Sequence, residues 1–238
     1  LDVNGDGRYT PDEAILNERI AGPSSLTVRD GDQLDGYVSS LDAPRVEIER
    51  EGALSTIVKV SGAHANRDGD ELFRFVSRYY FTADSGLVRV QHTVENDQTE
   101  QALTRIEDYG MGLPVTPRQD VTVRTEAAGG ELLETPADAE VTLVQDLDDH
   151  WSLMAPATHQ EGEHGPAAID VSTTDRGLWV GLRDFWQKWP SSLAWEPELG
   201  AVSIYLLPPF EDDRYADLGD AVVSDRLYYH LRDGGYRL

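Results

Sequence analysis

The run Leu72-Phe-Arg-Phe-Val-Ser-Arg-Tyr-Tyr-Phe-Thr82 lies in a part of the chain where apolar and polar side chains alternate along the sequence. The same alternation, with a period of two, is present in three neighbouring runs: Arg45–Glu51, Leu54–Ser61 and Leu87–Val94. A period of two is the spacing of side chains on one face of a β-strand. Polar turns at Asn66–Asp70 and Asp84–Gly86 separate the runs, so we predict long antiparallel strands joined by tight turns.

Strand-like runs continue through the rest of the chain. Seven more follow: Ala102–Leu113, Val121–Thr125, Ala139–Gln145, Ala168–Ser172, Gly177–Leu182, Ala201–Leu207 and Asp225–Leu231. About eleven strands with almost no helix predict an all-β fold, a large antiparallel β-sandwich (supersandwich-like) with more strands than a simple immunoglobulin-like unit. A soft boundary lies at Leu113–Pro117, but strand character resumes at once. We therefore predict one domain over residues 45–238.

The charge of the chain restricts its partners. The net charge is -24, from 44 acidic and 20 basic residues, and only Lys59 and Lys188 are lysines. Such a surface repels phosphates, so we expect neither nucleic acid nor an anionic membrane as a partner. Two explanations of the charge stay open: the binding of cations, or a surface that remains hydrated in high salt, as in proteins of salt-adapted microbes.

The composition also bears on the compartment. No apolar run approaches the roughly 18 residues that a transmembrane helix needs. The chain has no cysteine, which excludes disulfides and thiolate metal sites and fits an exported protein. The first residue already lies inside a motif. We therefore expect a piece of a longer protein that is secreted or displayed at the cell surface.

The N-terminal motif is Asp2-Val-Asn-Gly-Asp-Gly-Arg-Tyr-Thr-Pro-Asp-Glu13, which has the spacing of a twelve-residue calcium loop with Gly7 at its sharp turn. The predicted Ca²⁺ ligands are the side chains of Asp2, Asn4, Asp6, Thr10 and Glu13 and the carbonyl of Arg8. Residues 11–21 predict the exit helix, which completes a calcium loop and helix over 1–22 similar to those of EF-hands and dockerin repeats. The alternative is an Asp/Asn/Gly-rich surface turn without metal.

The segment Arg183-Asp-Phe-Trp-Gln-Lys-Trp-Pro190 concentrates aromatic residues beside directional polar groups. Four of the five tryptophans fall between Trp179 and Trp195. Such a segment can fill a thick β-core or grip a sugar ring. In the structural interpretation, Arg183 and Asp184 form an ion pair that locks the turn, and the tryptophans plug the core.

Several segments, in this order, resemble the PcRGLX/YetA-like family of exo-rhamnogalacturonan lyase relatives. They are Glu51–Gly62, Phe75–Phe81, Val88–Val94, Arg183–Pro190, Leu206–Pro209 and Gly235–Leu238. The resemblance implies a central β-sandwich that follows a first β domain and precedes a helical toroid, which here would lie C-terminal to Leu238. It also implies eliminative cleavage of a uronic-acid-containing polysaccharide such as rhamnogalacturonan, or a sulfated algal polymer of the ulvan kind. The calcium loop departs from the family pattern.

A lyase of this class must neutralise a uronate, remove the C5 proton and protonate the leaving oxygen at C4. Neutralisation requires Arg, a neutral amide or a metal, and proton removal requires His, Tyr or Lys. The catalytic candidates are His150, Arg183 and Tyr80. The substrate-binding candidates are Trp151, Trp186, Gln187 and Trp189. We interpret His92 as a structural histidine, and His159 and His164 as parts of a solvated loop.

Three hypotheses for the function stay open. The chain is a central sandwich that supports a toroid domain in a polysaccharide lyase, or a non-catalytic carbohydrate-binding or cell-surface interaction module with a structural calcium. In the third, weaker hypothesis, this piece itself carries the catalytic base.

Overall fold

The computed structural model describes residues 24–209 apart from 31–32, 42, 98–103, 105, 116–120 and 175. These residues form sixteen β-strands and, within the described ranges, no helix. The predicted all-β fold is therefore confirmed. The predicted calcium loop and helix over 1–22, and the predicted strand Asp225–Leu231, lie outside the described residues. The search for a helix long and apolar enough to cross a membrane found none in the described part.

The chain divides into two compact units. Among the described residues, Ser25–Asp108 belongs to what we call the first unit, and Tyr109–Pro208 belongs with Ser24 to the second. Strand β7 (Ile106–Pro114) begins in the first unit and continues in the second. The single domain predicted for residues 45–238 stays a prediction.

The first unit is one antiparallel sheet. Its strands are β1 (Ser25–Asp30), β2 (Gln33–Val38), β3 (Arg45–Arg50), β4 (Ser55–Ala65), β5 (Glu71–Thr82) and β6 (Val88–Glu95). The order is β1-β2-β4-β5-β6, and β3 pairs with β4. The start of β7 lies beside β1, where Arg29 Nε is 2.6 Å from Oε1 of Glu107.

The two faces of β3 to β6 differ in chemistry. On one face a buried end contains Phe75, Ser77 and His92, and an exposed end is largely apolar. The exposed apolar side chains are Val46, Ile48, Phe81, Val88 and Val90. The other face is held by ion pairs across strands, including Arg78 Nε to Glu49 Oε2 at 2.8 Å. Strand periodicity therefore separates an apolar face from a charged one.

The second unit contains two antiparallel sheets. Besides most of β7, its strands are β8 (Thr122–Glu126), β9 (Leu132–Pro136), β10 (Val141–Leu147), β11 (His150–Ala155), β12 (Thr158–Gly162), β13 (Ala168–Ser172), β14 (Gly177–Gly181), β15 (Ser191–Glu196) and β16 (Ala201–Leu207). Six strands follow the order β12-β11-β10-β15-β16-β7, and four follow the order β14-β13-β8-β9.

The inner faces of these two sheets form one hydrophobic core, which is the predicted sandwich. The four-stranded sheet contributes Val123, Ile169 and Val171, each at most 1% exposed. The six-stranded sheet contributes Val141, Leu143, Leu153, Leu193 and Val202, each with no exposed surface. Burial of these aliphatic side chains is the main term that holds the second unit together.

Candidate functional site

Gln145, near the end of β10, joins two loops of the second unit. Its fully buried amide donates from Nε2 to the carbonyls of Leu147 at 2.7 Å and Glu163 at 2.9 Å. Its Oε1 accepts from the backbone N–H of Gly165 at 3.0 Å. A buried amide is costly unless its hydrogen bonds are made. These three bonds therefore fix residues 163–165 beside the β10–β11 hairpin.

Trp151 packs against the same loop from inside the sandwich. Its side chain is only 3% exposed. A Cβ on Gly162 would lie 2.6 Å from the indole Nε1, and one on Gly165 would lie 3.0 Å from ring carbons. Both positions therefore need glycine to admit the ring. Because Trp151 is a core residue, its position gives no support to the prediction that it contacts substrate.

A carboxylate–histidine pair lies at the tip of the β10–β11 hairpin. Nδ1 of His150 is 2.5 Å from Oδ1 of Asp146. The strand register shifts between Gln145 and Leu147, and the residue at this bulge is Asp146. The Asp146 side chain is 10% exposed and that of His150 is 38% exposed. A nearly buried carboxylate therefore orients an imidazole that solvent reaches, an arrangement that suits proton transfer.

The turn between β14 and β15 is anchored by Phe185. This side chain is 2% exposed and belongs to the core, and its carbonyl accepts a hydrogen bond from Ser191 Oγ at 3.0 Å. Ser191 is in turn the β15 partner of Gln145. The next residue, Trp186, is 37% exposed and stacks on His164, with ring centroids 4.1 Å apart. The two rings form a small aromatic surface near the β10–β11 hairpin.

Charged and polar side chains occupy the rest of this turn. Arg183 is 82% exposed, and its Nε is 3.5 Å from Oδ2 of Asp184. The Nζ of Lys188 is 3.8 Å from the same oxygen. Gln187 is exposed and Trp189 is half-buried. The predicted Arg183–Asp184 ion pair is present, but exposed pairs contribute about 0–1 kcal/mol, so an anionic ligand can compete for the guanidinium.

The structural interpretation of the tryptophans needs a correction. Phe185 fills the core, whereas Trp186 is exposed, Trp189 is half-buried and Trp179 is 59% exposed. Only Trp195 of this group is buried, and its Nε1 donates to the carbonyl of Ala137 at 2.8 Å. The Ser191 hydrogen bond holds the backbone of this turn at Phe185, whose ring fills the core, while the adjacent Trp186 ring faces outward.

The third catalytic candidate, Tyr80, lies in the first unit on β5. Its hydroxyl donates to Oε1 of Gln91 at 3.0 Å, and the guanidinium carbon of Arg89 lies 5.0 Å from the ring centroid. His92 is 8% exposed and its Nδ1 lies 2.6 Å from Ser77 Oγ. Burial lowers the pKa of His92 to about 4. Its prediction as a structural histidine is confirmed, since a buried neutral imidazole bonded to a neighbouring hydroxyl supports packing.

The metal prediction stays untested. Among the described residues, no group of three or more His, Asp or Glu side chains is arranged to hold a metal ion. His159, in the loop predicted to be solvated, is exposed and lies 3.3 Å from Oε1 of Glu161. All six predicted calcium ligands lie outside the described residues: Asp2, Asn4, Asp6, Arg8, Thr10 and Glu13.

Residues 28–138 match the family model of the PcRGLX-like protein central beta sandwich domain. This part of the chain is therefore similar to a PcRGLX-like central β-sandwich domain. Comparison of the chain with curated proteins gave no match. Three segments of the predicted resemblance lie inside the PcRGLX-like match: 51–62, 75–81 and 88–94. The other three lie outside it: 183–190, 206–209 and 235–238.

The PcRGLX-like match covers just under half of the chain and ends after β9. Of the three catalytic candidates, only Tyr80 lies within it. The Asp146–His150 pair, the His164–Trp186 stack and Arg183 all follow it in the sequence. The sequence predicted His150, Arg183 and Trp186 individually, but it did not identify Asp146, Gln145 or His164 as their partners. The sequence signal that could have identified Asp146 as the partner of His150 was their four-residue spacing across a short acidic turn.

Proposed function

We propose that the chain is the central β-sandwich part of a secreted polysaccharide lyase that acts on a uronic-acid-containing polysaccharide, rhamnogalacturonan- or ulvan-like, by β-elimination. The family match over residues 28–138 is the observation that carries this proposal. Catalysis is completed by a helical toroid domain C-terminal to Leu238. The absence of cysteine is consistent with the proposed export of the protein.

The second unit supplies groups that suit a uronate polymer. In the proposed arrangement, the exposed guanidinium of Arg183 pairs with the uronate carboxylate and stabilises the negative charge that develops when the C5 proton is removed. His150, oriented by Asp146 at 2.5 Å, accepts that proton. The C4–C5 double bond forms, the bond from C4 to the glycosidic oxygen breaks, and the leaving oxygen takes up a proton. The Trp186–His164 surface stacks against a sugar ring.

A second candidate is a non-catalytic carbohydrate-binding or cell-surface interaction module with a structural calcium. The exposed aromatic surface of Trp186 and His164 favours it, because such a surface binds sugar without any need for a base. The two candidates share the sugar-contacting surface, and within the described residues they differ in the roles of the Asp146–His150 pair and of Arg183.

The experiment uses the longer protein that includes the proposed toroid domain, and it compares the wild type with His150→Gln and Trp186→Ala on rhamnogalacturonan and ulvan. Near-ultraviolet absorbance measures unsaturated product, and titration calorimetry measures binding. A lyase releases product, loses that activity with His150→Gln and keeps its binding. A binding module releases nothing, and its binding is weakened by Trp186→Ala. Absence of both product and binding with either polymer would overturn both candidates.

A further inference from the structure

The outer face of the four-stranded sheet presents one continuous row of side chains. Trp179 on β14 pairs with Asp170 on β13, Asp170 pairs with Arg124 on β8, and Arg124 pairs with Glu134 on β9. Side chains paired across neighbouring antiparallel strands lie on the same face about 5 Å apart. The row therefore places an indole at one edge of the sheet and three charged groups beside it.

The indole of Trp179 lies along its own strand. The side chain is 59% exposed, although it is one of the largest apolar groups of the chain. A Cβ on Gly181, two residues further along the same face, would lie 2.4 Å from Cη2 and within 3.0 Å of two other atoms of the six-membered ring. The ring therefore rests over the bare backbone of Gly181. This leaves a supported aromatic surface in contact with solvent.

The polar part of the row is held in place by its own hydrogen bonds. Arg124 Nε donates to Oε1 of Glu134 at 2.7 Å, and Nη1 donates to Ser172 Oγ at 2.8 Å. The same Nη1 lies 3.5 Å from Oδ1 of Asp170, and the Ser172 hydroxyl donates to that carboxylate. Because the network fixes the rotamers of its members, little side-chain entropy is lost when a ligand binds there.

We propose that this row binds a neutral pyranose of a polysaccharide, with the C–H face of the sugar on Trp179 and its hydroxyls directed toward Asp170 and Arg124. An aromatic surface beside a few fixed polar groups is the arrangement that orients a sugar. The sugar is neutral because Arg124 is already paired with two carboxylates, so the row carries a net negative charge that repels a uronate. This proposal rests on the proposed function in one respect only, that the ligand is a polysaccharide of the proposed class.

This surface serves attachment to the polymer. It is the outer face of the four-stranded sheet, whereas the Asp146–His150 pair belongs to the six-stranded sheet and Arg183 lies in the turn after β14. Binding there holds the polymer beside the rest of the chain and raises its local concentration. Uronate recognition and neutral-sugar recognition are thereby assigned to different residues.

The test uses three probes: rhamnogalacturonan, a neutral galactan and homogalacturonan, which contains only uronate. Trp179→Ala and Gly181→Ala should each weaken binding to rhamnogalacturonan or to galactan by about fivefold to tenfold. Gly181→Ala is the sharper variant because it retains Trp179 and displaces only the ring. Binding to homogalacturonan should be unchanged in both variants.

Phe81→Ala serves as the control, because it removes an exposed aromatic ring from the first unit, at a position with no proposed role in binding. Melting curves verify folding, and Trp179→Ala keeps the test decisive if Gly181→Ala does not fold. Unchanged affinity of Trp179→Ala for both rhamnogalacturonan and galactan, or no wild-type binding to either, overturns the proposal. If the wild type releases no unsaturated product but Trp179→Ala still weakens binding, the proposed lyase is contradicted and the proposed binding row is not.

Discussion

The imidazole of His164 stacks on the indole of Trp186, with ring centroids 4.1 Å apart and planes inclined by 28°. The two residues come from different loops. Gln145 fixes the loop of His164 through the carbonyl of Glu163. Ser191, which is the strand partner of Gln145, fixes the loop of Trp186 through the carbonyl of Phe185. The stack therefore depends on two buried polar side chains, and it links the two loops at the surface.

The coupling between His164 and Trp186 can be measured directly. A double-mutant cycle with His164→Ala and Trp186→Ala should give an interaction free energy of about 0.5–1.5 kcal/mol in unfolding experiments. The same cycle built from His159→Ala and Trp186→Ala provides the control, since His159 has its own partner in Glu161. Additive effects of His164→Ala and Trp186→Ala would show that the stack contributes nothing.

The neighbouring residues Phe185 and Trp186 should respond in opposite ways to truncation. Phe185→Ala removes a core side chain that is 2% exposed and should destabilise the protein by about 3–5 kcal/mol. Trp186→Ala removes an exposed ring and should cost about 1 kcal/mol or less. Chemical denaturation monitored by circular dichroism measures both. A larger loss for Trp186→Ala would reverse our assignment of the core residue.

Much of the fold could be predicted from the sequence because apolar and polar side chains alternate clearly along the long, half-exposed strands. β3 to β8, β10, β13, β14 and β16 agree with the predicted runs to within a few residues. Six strands were missed: β1, β2, β9, β11, β12 and β15. β15 begins with buried Ser191 and Ser192, whose small polar side chains give no apolar signal. β2 is exposed along most of its length and therefore has little hydrophobic pattern.

The candidate site was less predictable because its contacts are made between distant segments. The aromatic character of 183–190 is visible in the sequence, but which ring enters the core is not. That choice depends on the backbone of the turn, which is held by contacts such as the hydrogen bond from Ser191 to the carbonyl of Phe185. Likewise, Asp146 reaches His150 because of a strand irregularity beside Gln145. Such irregularities depend on the pairing of whole strands, which local periodicity does not encode.

The buried histidines of the first unit predict a loss of stability in acid. Burial lowers the pKa of His92 to about 4, and burial also lowers the pKa of His64. The unfolded chain binds these protons near pH 6.5, so it binds more protons than the folded protein between the two values. The stability that comes from neutral His92 is complete above about pH 6.5 and is lost progressively toward pH 4, by about 3 kcal/mol.

Comparison of wild type with His92→Gln isolates this contribution from the carboxylates that titrate in the same range. The difference in unfolding free energy between the two proteins should change by about 3 kcal/mol from pH 7 to pH 4. His159→Gln, at an exposed position, should follow the wild-type profile. Parallel profiles for wild type and His92→Gln would contradict the assignment.

The N-terminal motif predicts a stabilising Ca²⁺ ion. Calcium should raise the melting temperature of the protein, because an ion that binds only the folded state stabilises it by mass action. Asp2→Ala and Glu13→Ala each remove a carboxylate ligand and should abolish the increase. Differential scanning calorimetry in calcium and in chelator makes the measurement, and identical curves for the wild type would disprove the calcium loop.

The boundaries of the two compact units do not coincide with the end of the family match, and strand β7 crosses the boundary between the units. It is continuous through the point where the two compact units divide, between Asp108 and Tyr109. The family match ends at residue 138, before β13, the strand that pairs with β8. A gene segment limited to the match would encode β8 and β9 without that partner or most of their core. The sandwich that contains β8 and β9 therefore needs the sequence through β16, well beyond the residues that the family model matches.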